Sequence, residues 1–264
     1  MTFFPSDEIT ISLFITHLHN MNNSYGTICT VLSGVSYYHK LKGLKDPCKS
    51  FLSKQILAAI GKKGCVADRR KPITIEILSQ LMSALANLGL PHSEVLLFKG
   101  IFLTAFHFAL RISEYTKSQH TLTIDNLCIS ANSMSLNFSS FKHSSTDTLL
   151  SHKFQAIDPQ DPISNLCPVK AMANYIELRG LGKGPLFMLG GKAVPRKFFA
   201  KILRQAIVNI RLSPTCYTSH SFRIGATTWW ADQGVAEDEI RRRGRWRNAS
   251  TYQVYVRGSV SHNT

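Results

Sequence analysis

The stretch Tyr217-Thr218-Ser219-His220-Ser221-Phe222-Arg223, followed by Gly244-Arg245-Trp246 and then Tyr252-Gln253-Val254-Tyr255-Val256-Arg257, decides how the rest of the chain is read. His220 and Arg223 stand three residues apart, which places them on one face of a helix. Tyr255 follows Trp246 by nine residues. Handling a phosphodiester requires cationic donors, a proton-transfer group and a nucleophile, and this stretch holds all three.

The bulk composition points the same way. An apolar share of 44% with 18% charged residues is that of a folded soluble protein, and 264 residues allow one large domain or two modest ones. Against that ordinary background, 31 Lys and Arg face only 16 Asp and Glu, a net charge of +15 and a pI near 9.7. A domain so basic usually faces a polyanion, and nucleic acid is the common one. The six cysteines are scattered without a CxxC pair, so neither a zinc pattern nor a disulfide framework is expected. No stretch reaches the roughly 18 apolar residues of a membrane span, and the first residues carry no secretory leader pattern. The expected setting is intracellular.

Residues 1–66 read as a small helical unit. Pro5-Ser6-Asp7-Glu8 starts a helix with apolar positions at Ile11, Phe14, Ile15 and Leu18. Ser24 can cap a second, whose face is Ile28, Val31, Leu32, Val35 and Tyr38, and Asp46-Pro47 precedes a third over roughly 50–60. Gly61-Lys62-Lys63-Gly64 and Asp68-Arg69-Arg70-Lys71-Pro72 read as a basic connection, which places a second domain at 67–264. That domain opens with a helix over 73–88 and a long apolar segment from Val95 to Leu110 ending at Arg111-Ile112-Ser113-Glu114. Met134, Leu136 and Phe138 alternate with polar residues, and Phe154 and Ala156 do so more weakly. The turn between them puts Lys142 near a hairpin tip. Cys167-Pro168 opens a helix closed by Gly180, and Pro195 to Ile210 reads as a basic helix. The predicted fold is mainly α with a small antiparallel β-sheet.

Here the chain resembles a known family, the tyrosine recombinases or phage integrases. The likeness covers nearly the whole length and is strongest to recombinases of eukaryotic mobile elements of the DIRS and Crypton kinds. Ser219-His220-Ser221-Phe222-Arg223-Ile224-Gly225-Ala226, Gly244-Arg245-Trp246 and Ser24-Tyr25-Gly26-Thr27-Ile28 carry it. The resemblance implies a helical core-binding domain that clamps DNA and a mixed α+β catalytic domain. It also implies six catalytic positions: Arg111 (with Glu114 in an Arg-x-x-Glu segment), Lys142, His220, Arg223, Trp246 and Tyr255. Tyr252 competes with Tyr255 for the nucleophile, and Lys153 with Lys142 for the hairpin lysine.

Each role has a physical reason. Two guanidiniums can clamp the non-bridging oxygens of one phosphate. A lysine among cations can protonate a departing 5′ oxygen, and a histidine can accept a proton. Trp246 offers only an N–H donor. A phenol at its ordinary pKa of about 10 is a weak nucleophile until surrounding positive charge favours its anion. Phe222, Trp229 and Trp230 read as core.

The expected activity is site-specific DNA recombination through a covalent 3′-phosphotyrosine. By the resemblance it acts on double-stranded DNA as a homo-tetramer, with no cofactor, metal or membrane, in the nucleus; without DNA the chain could be a monomer. A DNA-binding protein that has lost recombination and a type IB topoisomerase are the alternatives. Lys40, Lys42, Lys62, Lys63, Arg69, Arg70, Lys71 and Arg241 to Arg243 are candidate backbone contacts or plain solvated charges. Two features depart from the family pattern. Arg245 stands where many bacterial members have the histidine of a Gly-His dipeptide, and nine residues follow Tyr255, so assembly is expected to use surfaces other than an exchanged C-terminal helix.

Overall fold

A computed structural model describes residues 5–63, 69–138, 150–246 and 252–256. The chain divides into two compact units, Met1–Asp68 and Arg69–Thr264. In the first, Asp7 caps α1 (Glu8–Asn20) by accepting from the Thr10 N–H, and Ser24 caps α2 (Tyr25–Leu41) by accepting from the Thr27 N–H. A short 3₁₀ turn at Pro47–Lys49, capped by Asp46, leads into α3 (Phe51–Lys63). The helical periodicity gathers Ile11, Ile15, Ile28, Leu32 and Ile60 into a small core. Tyr38 stays exposed, because the two short neighbours of α2 cover only part of its apolar stripe.

The second unit begins with α4 (Ile75–Ala86), capped by Thr74, and α5 (His92–His107). Every residue of α5 from Phe98 on except Lys99 is buried, the mark of a helix enclosed on all faces. It ends at His107, earlier than the apolar run implied. Ala109 takes a left-handed conformation (φ 44°), and Arg111 caps the one-turn helix α6 (Ile112–Tyr115). Arg111 is therefore the start of a short helix rather than the end of the buried one.

Next comes an antiparallel sheet of three strands, β1 (Leu127–Ile129), β2 (Ser133–Phe138) and β3 (Leu150–Gln155), in that spatial order. The register pairs Leu136 with His152 and Met134 with Phe154, so the apolar alternation of β2 faces the core. Helix α7 (Pro168–Arg179) starts on its proline, ends at Gly180 (φ 75°) and packs along α5. A hairpin joins β4 (Met188–Leu189) to β5 (Lys192–Ala193) through Gly190 and Gly191, both at positive φ.

Helices α8 (Arg196–Asn209), α9 (Ser219–Asp232) and α10 (Glu237–Gly244) complete the unit. Phe102 of α5 lies with its ring centroid 5.0 Å from Phe222 and 5.8 Å from Phe199, which ties α5, α8 and α9 into one core. Phe222 and Trp230 are buried and Trp229 is half-buried, as core readings require. Gly225 lets α9 press against the backbone: a Cβ there would collide with the Ile73 carbonyl. The architecture is mainly helical with a small antiparallel sheet, as expected from the sequence. No helix among the described residues is long and apolar enough to cross a membrane.

Candidate active site

Four segments of the second unit converge: the turn from Phe108 into α6, the first turn of α9, the end of α10 with Gly244-Arg245-Trp246, and residues 252–256. Thr218 caps α9 by accepting from the His220 N–H, while Ser221 Oγ accepts from the Thr218 N–H at 3.0 Å. This fixed first turn presents His220, half-buried, and Arg223, buried to 1% exposure, on one side of the helix.

Arg223 is held from both ends of its fork. Its guanidinium donates to the carbonyls of Ala109 and Gly244, and it lies 4.1 Å over the Trp246 ring and 5.5 Å from the Tyr255 ring. Burial first, then the neighbouring charges of Arg111 and Arg245, lower its pKa well below that of a free guanidinium. Gly244 is needed because a Cβ would occupy the space of the Trp246 ring. Trp246 thus folds back over its own helix end onto Arg223, a stacking role in addition to the N–H donor expected from its sequence position.

Arg111 is less buried. Its backbone N–H donates to Glu114 Oε2 at 2.7 Å, and its side chain reaches Glu114 Oε1 at 3.3 Å and the Arg245 carbonyl at 3.0 Å. Glu114, 1% exposed, also accepts from Arg245 at 2.8 Å. Three guanidiniums therefore surround one buried carboxylate, a cluster with two positive charges in excess. His152 lies beside it without adding a third. Burial, followed by the charges of Arg245 and Arg242, pushes its pKa down to about 4 and keeps the ring neutral.

Residues 252–256 bring the two tyrosines to opposite sides. Tyr255 has its ring 4.9 Å from His220 and 5.0 Å from Trp246, and its carbonyl accepts from Thr228 Oγ1 at 3.4 Å. Tyr252 instead lines a depression with Val235, Glu237 and Ile240. Desolvation and a hydrogen bond with Glu237 raise the Tyr252 phenol, the reverse of what a nucleophile needs.

Arg111, His220, Arg223, Trp246 and Tyr255 are thus brought together. Lys142 lies outside the described residues. Lys153 is an exposed residue of β3, opposite Ser135. Of the basic surface positions, Arg241 pairs with Asp238, and Arg242 and Arg243 both pair with Glu239 on the same helix. Lys40 lies 3.6 Å from Asp46. Reading the sequence alone misses Arg245 as part of the site, because nothing in the run Arg241-Arg242-Arg243-Gly244-Arg245 tells a buried arginine from an exposed one. Among the described residues no group of three metal-ligating side chains forms.

No protein-family model matches the sequence, and no curated protein matches it as a relative. Solved structures do match. A Tn1549 transposon integrase in complex with circular intermediate DNA is 12% identical at a TM-score of 0.65, over 99% of this chain and 84% of that one. The site-specific recombinase XerH bound to a palindromic difH substrate is 16% identical at a TM-score of 0.65, over 95% of this chain and 69% of that one. A lambda integrase dimer bound to a COC′ core site is 13% identical at a TM-score of 0.59, over 95% and 64%. The chain has the fold of these tyrosine recombinases.

Proposed function

We propose that this chain is a site-specific DNA recombinase that cuts and rejoins DNA through a 3′-phosphotyrosine. The observation that carries this reading is the packing of the Tyr255 ring against His220, Trp246 and Arg223, with Arg111 anchored through the same helix end. The likeness in fold to recombinases solved on DNA, and the charge of +15, agree with a duplex as partner.

In this reading Arg111 and Arg223 hold the non-bridging oxygens of the scissile phosphate and stabilise the charge that grows on them. The Tyr255 hydroxyl oxygen attacks phosphorus, the bond to the 5′ oxygen breaks, and that oxygen leaves with a proton from Lys142. His220 takes the phenol proton. One phosphodiester replaces another, so bond energy is conserved and the 5′ hydroxyl of a partner duplex can reverse the step. Residues 1–66 act as the core-binding clamp and 67–264 as the catalytic domain, with four protomers on two duplexes. Mobile-element origin and action in the nucleus rest on the sequence resemblance alone.

The test is trapping of a covalent adduct on a pool of nicked duplexes with a randomised core, whose short 5′ fragment diffuses away after cleavage. An adduct that survives denaturation and disappears in Tyr255→Phe is the expected result. Salt-dependent binding with no adduct from any duplex would instead identify a DNA-binding protein that does not recombine.

A further inference from the structure

Arg245 occupies an unfavourable backbone position for the sake of its side chain. It closes α10 in the left-handed conformation (φ 55°), where helices ordinarily place glycine. Its side chain is fully buried. One terminal nitrogen donates to the Phe108 and Arg243 carbonyls at 3.2 and 3.3 Å. The other donates to the Ala109 carbonyl at 3.2 Å and to Glu114 Oε2 at 2.8 Å, and the guanidinium covers the Phe138 ring at 4.1 Å. With four donors committed and no exposure, this arginine cannot reach a phosphate in this arrangement.

Its partners are the anchors of the other two arginines. Glu114 and the Arg245 carbonyl both receive Arg111, and the Ala109 carbonyl that Arg245 binds also receives Arg223. Without Arg245, Arg111 would be the one ion-pair partner left to Glu114 among the described residues, and that pair would cancel the charge that Arg111 offers to DNA. We infer that Arg245 is the buried counter-ion of Glu114, a positioning residue that leaves the charge of Arg111 uncompensated and sets the fork of Arg223. The inference deepens the recombinase reading and rests on it. Burial and the charge of Arg111 lower the Arg245 pKa to about 10, with Glu114 opposing, so the guanidinium remains charged at neutral pH.

Three variants test it in the full chain: R245K, R245M and the double variant R245M/E114Q. Removing one partner of a buried ion pair destabilises a protein more than removing both, so the double variant guards against simple unfolding. Adduct formation is measured at saturating nicked duplex, beside the affinity for that duplex. R245M is expected to lower the adduct rate about 100-fold, as loss of one charge-stabilising donor does, with affinity within about threefold. R245K should keep more activity than R245M, and the double variant should recover at least tenfold over R245M. A merely space-filling Arg245 would leave Lys and Met equivalent and give the double variant no recovery. Either of those results overturns the inference. R245M, R245M/E114Q and the single variant E114Q, compared by thermal midpoint, read the Arg245–Glu114 coupling without DNA. Coupling in a chain whose unsubstituted form makes no adduct would sink the recombinase reading and leave the ion pair; an active chain with no coupling would sink the inference.

Discussion

The outer face of α10 and the layer beneath it carry four arginines within five positions, and they behave in opposite ways. Arg241, Arg242 and Arg243 pair with Asp238 and Glu239 of their own helix. Arg245, two residues on, is buried with Arg223 in a cluster whose balancing carboxylate among the described residues is Glu114. The exposed pairs are screened by water and salt and contribute little. The buried cluster keeps its charge in a low-dielectric setting, where an oxyanion would meet it at far greater strength. Position relative to the core, and not the density of positive charge along the chain, makes the site.

The largest way to break this contrast is at Arg223. Arg223→Lys keeps a charge but loses the two-pronged hold on the Ala109 and Gly244 carbonyls, and adduct formation should fall about 10²- to 10³-fold with duplex affinity little changed. Equal loss of both would make Arg223 a general DNA contact. Gly244→Ala acts on the same layer by displacing Trp246, and should cost about 1–3 kcal/mol in denaturant unfolding.

The buried layer also has an acid signature. His107 is pushed to about 4 by burial, opposed by its hydrogen bond with Leu166, and His152 to about 4 by burial and arginine charge. Both folded-state values lie below the ordinary 6.5. Between pH 6.5 and 4 the unfolded chain binds these protons and the folded chain does not, so their contribution to stability is full above 6.5 and is lost as pH falls to 4. His152→Leu should reduce the slope of stability against pH in that window by about 1.4 kcal/mol per pH unit. An unchanged slope would show His152 to be charged in the folded protein.

The exposed side of the comparison predicts the smallest effect. Hydrogen bonds from Arg242 and Arg243, outweighing partial desolvation, hold Glu239 down at about 2. Glu239 is half-buried at the helix surface and its partner Arg242 is open to water, so Glu239→Gln should cost less than about 1 kcal/mol at pH 7. That cost is present above the ordinary carboxylate pKa and vanishes as pH falls toward 2. A loss as large as at the buried layer would end the distinction.

Much of this was legible beforehand. The helix start at Pro5-Ser6-Asp7-Glu8, the cap at Ser24, the proline start of α7 and the alternation of β2 are local rules, and each element lies where its pattern put it. Strand β1 has three residues, too few for alternation to register. Helix α5 stops short of its apolar run because Ala109 turns the chain, and apolarity does not report a backbone reversal. The nine-residue spacing from Trp246 favours Tyr255 over Tyr252, but the facing of Tyr255 toward His220, with Tyr252 turned to Glu237, depends on how the last residues pack on α9. Arg245 was visible only as a departure from the family pattern; its burial is a property of the fold.

The measurement that bears most directly on the site is peptide mapping of the trapped covalent adduct after nuclease digestion. The buried-cluster account predicts a phosphorylated nucleotide remnant on Tyr255, beside Arg223, and none on Tyr252. A remnant on Tyr252, or on any residue away from the cluster, would contradict it.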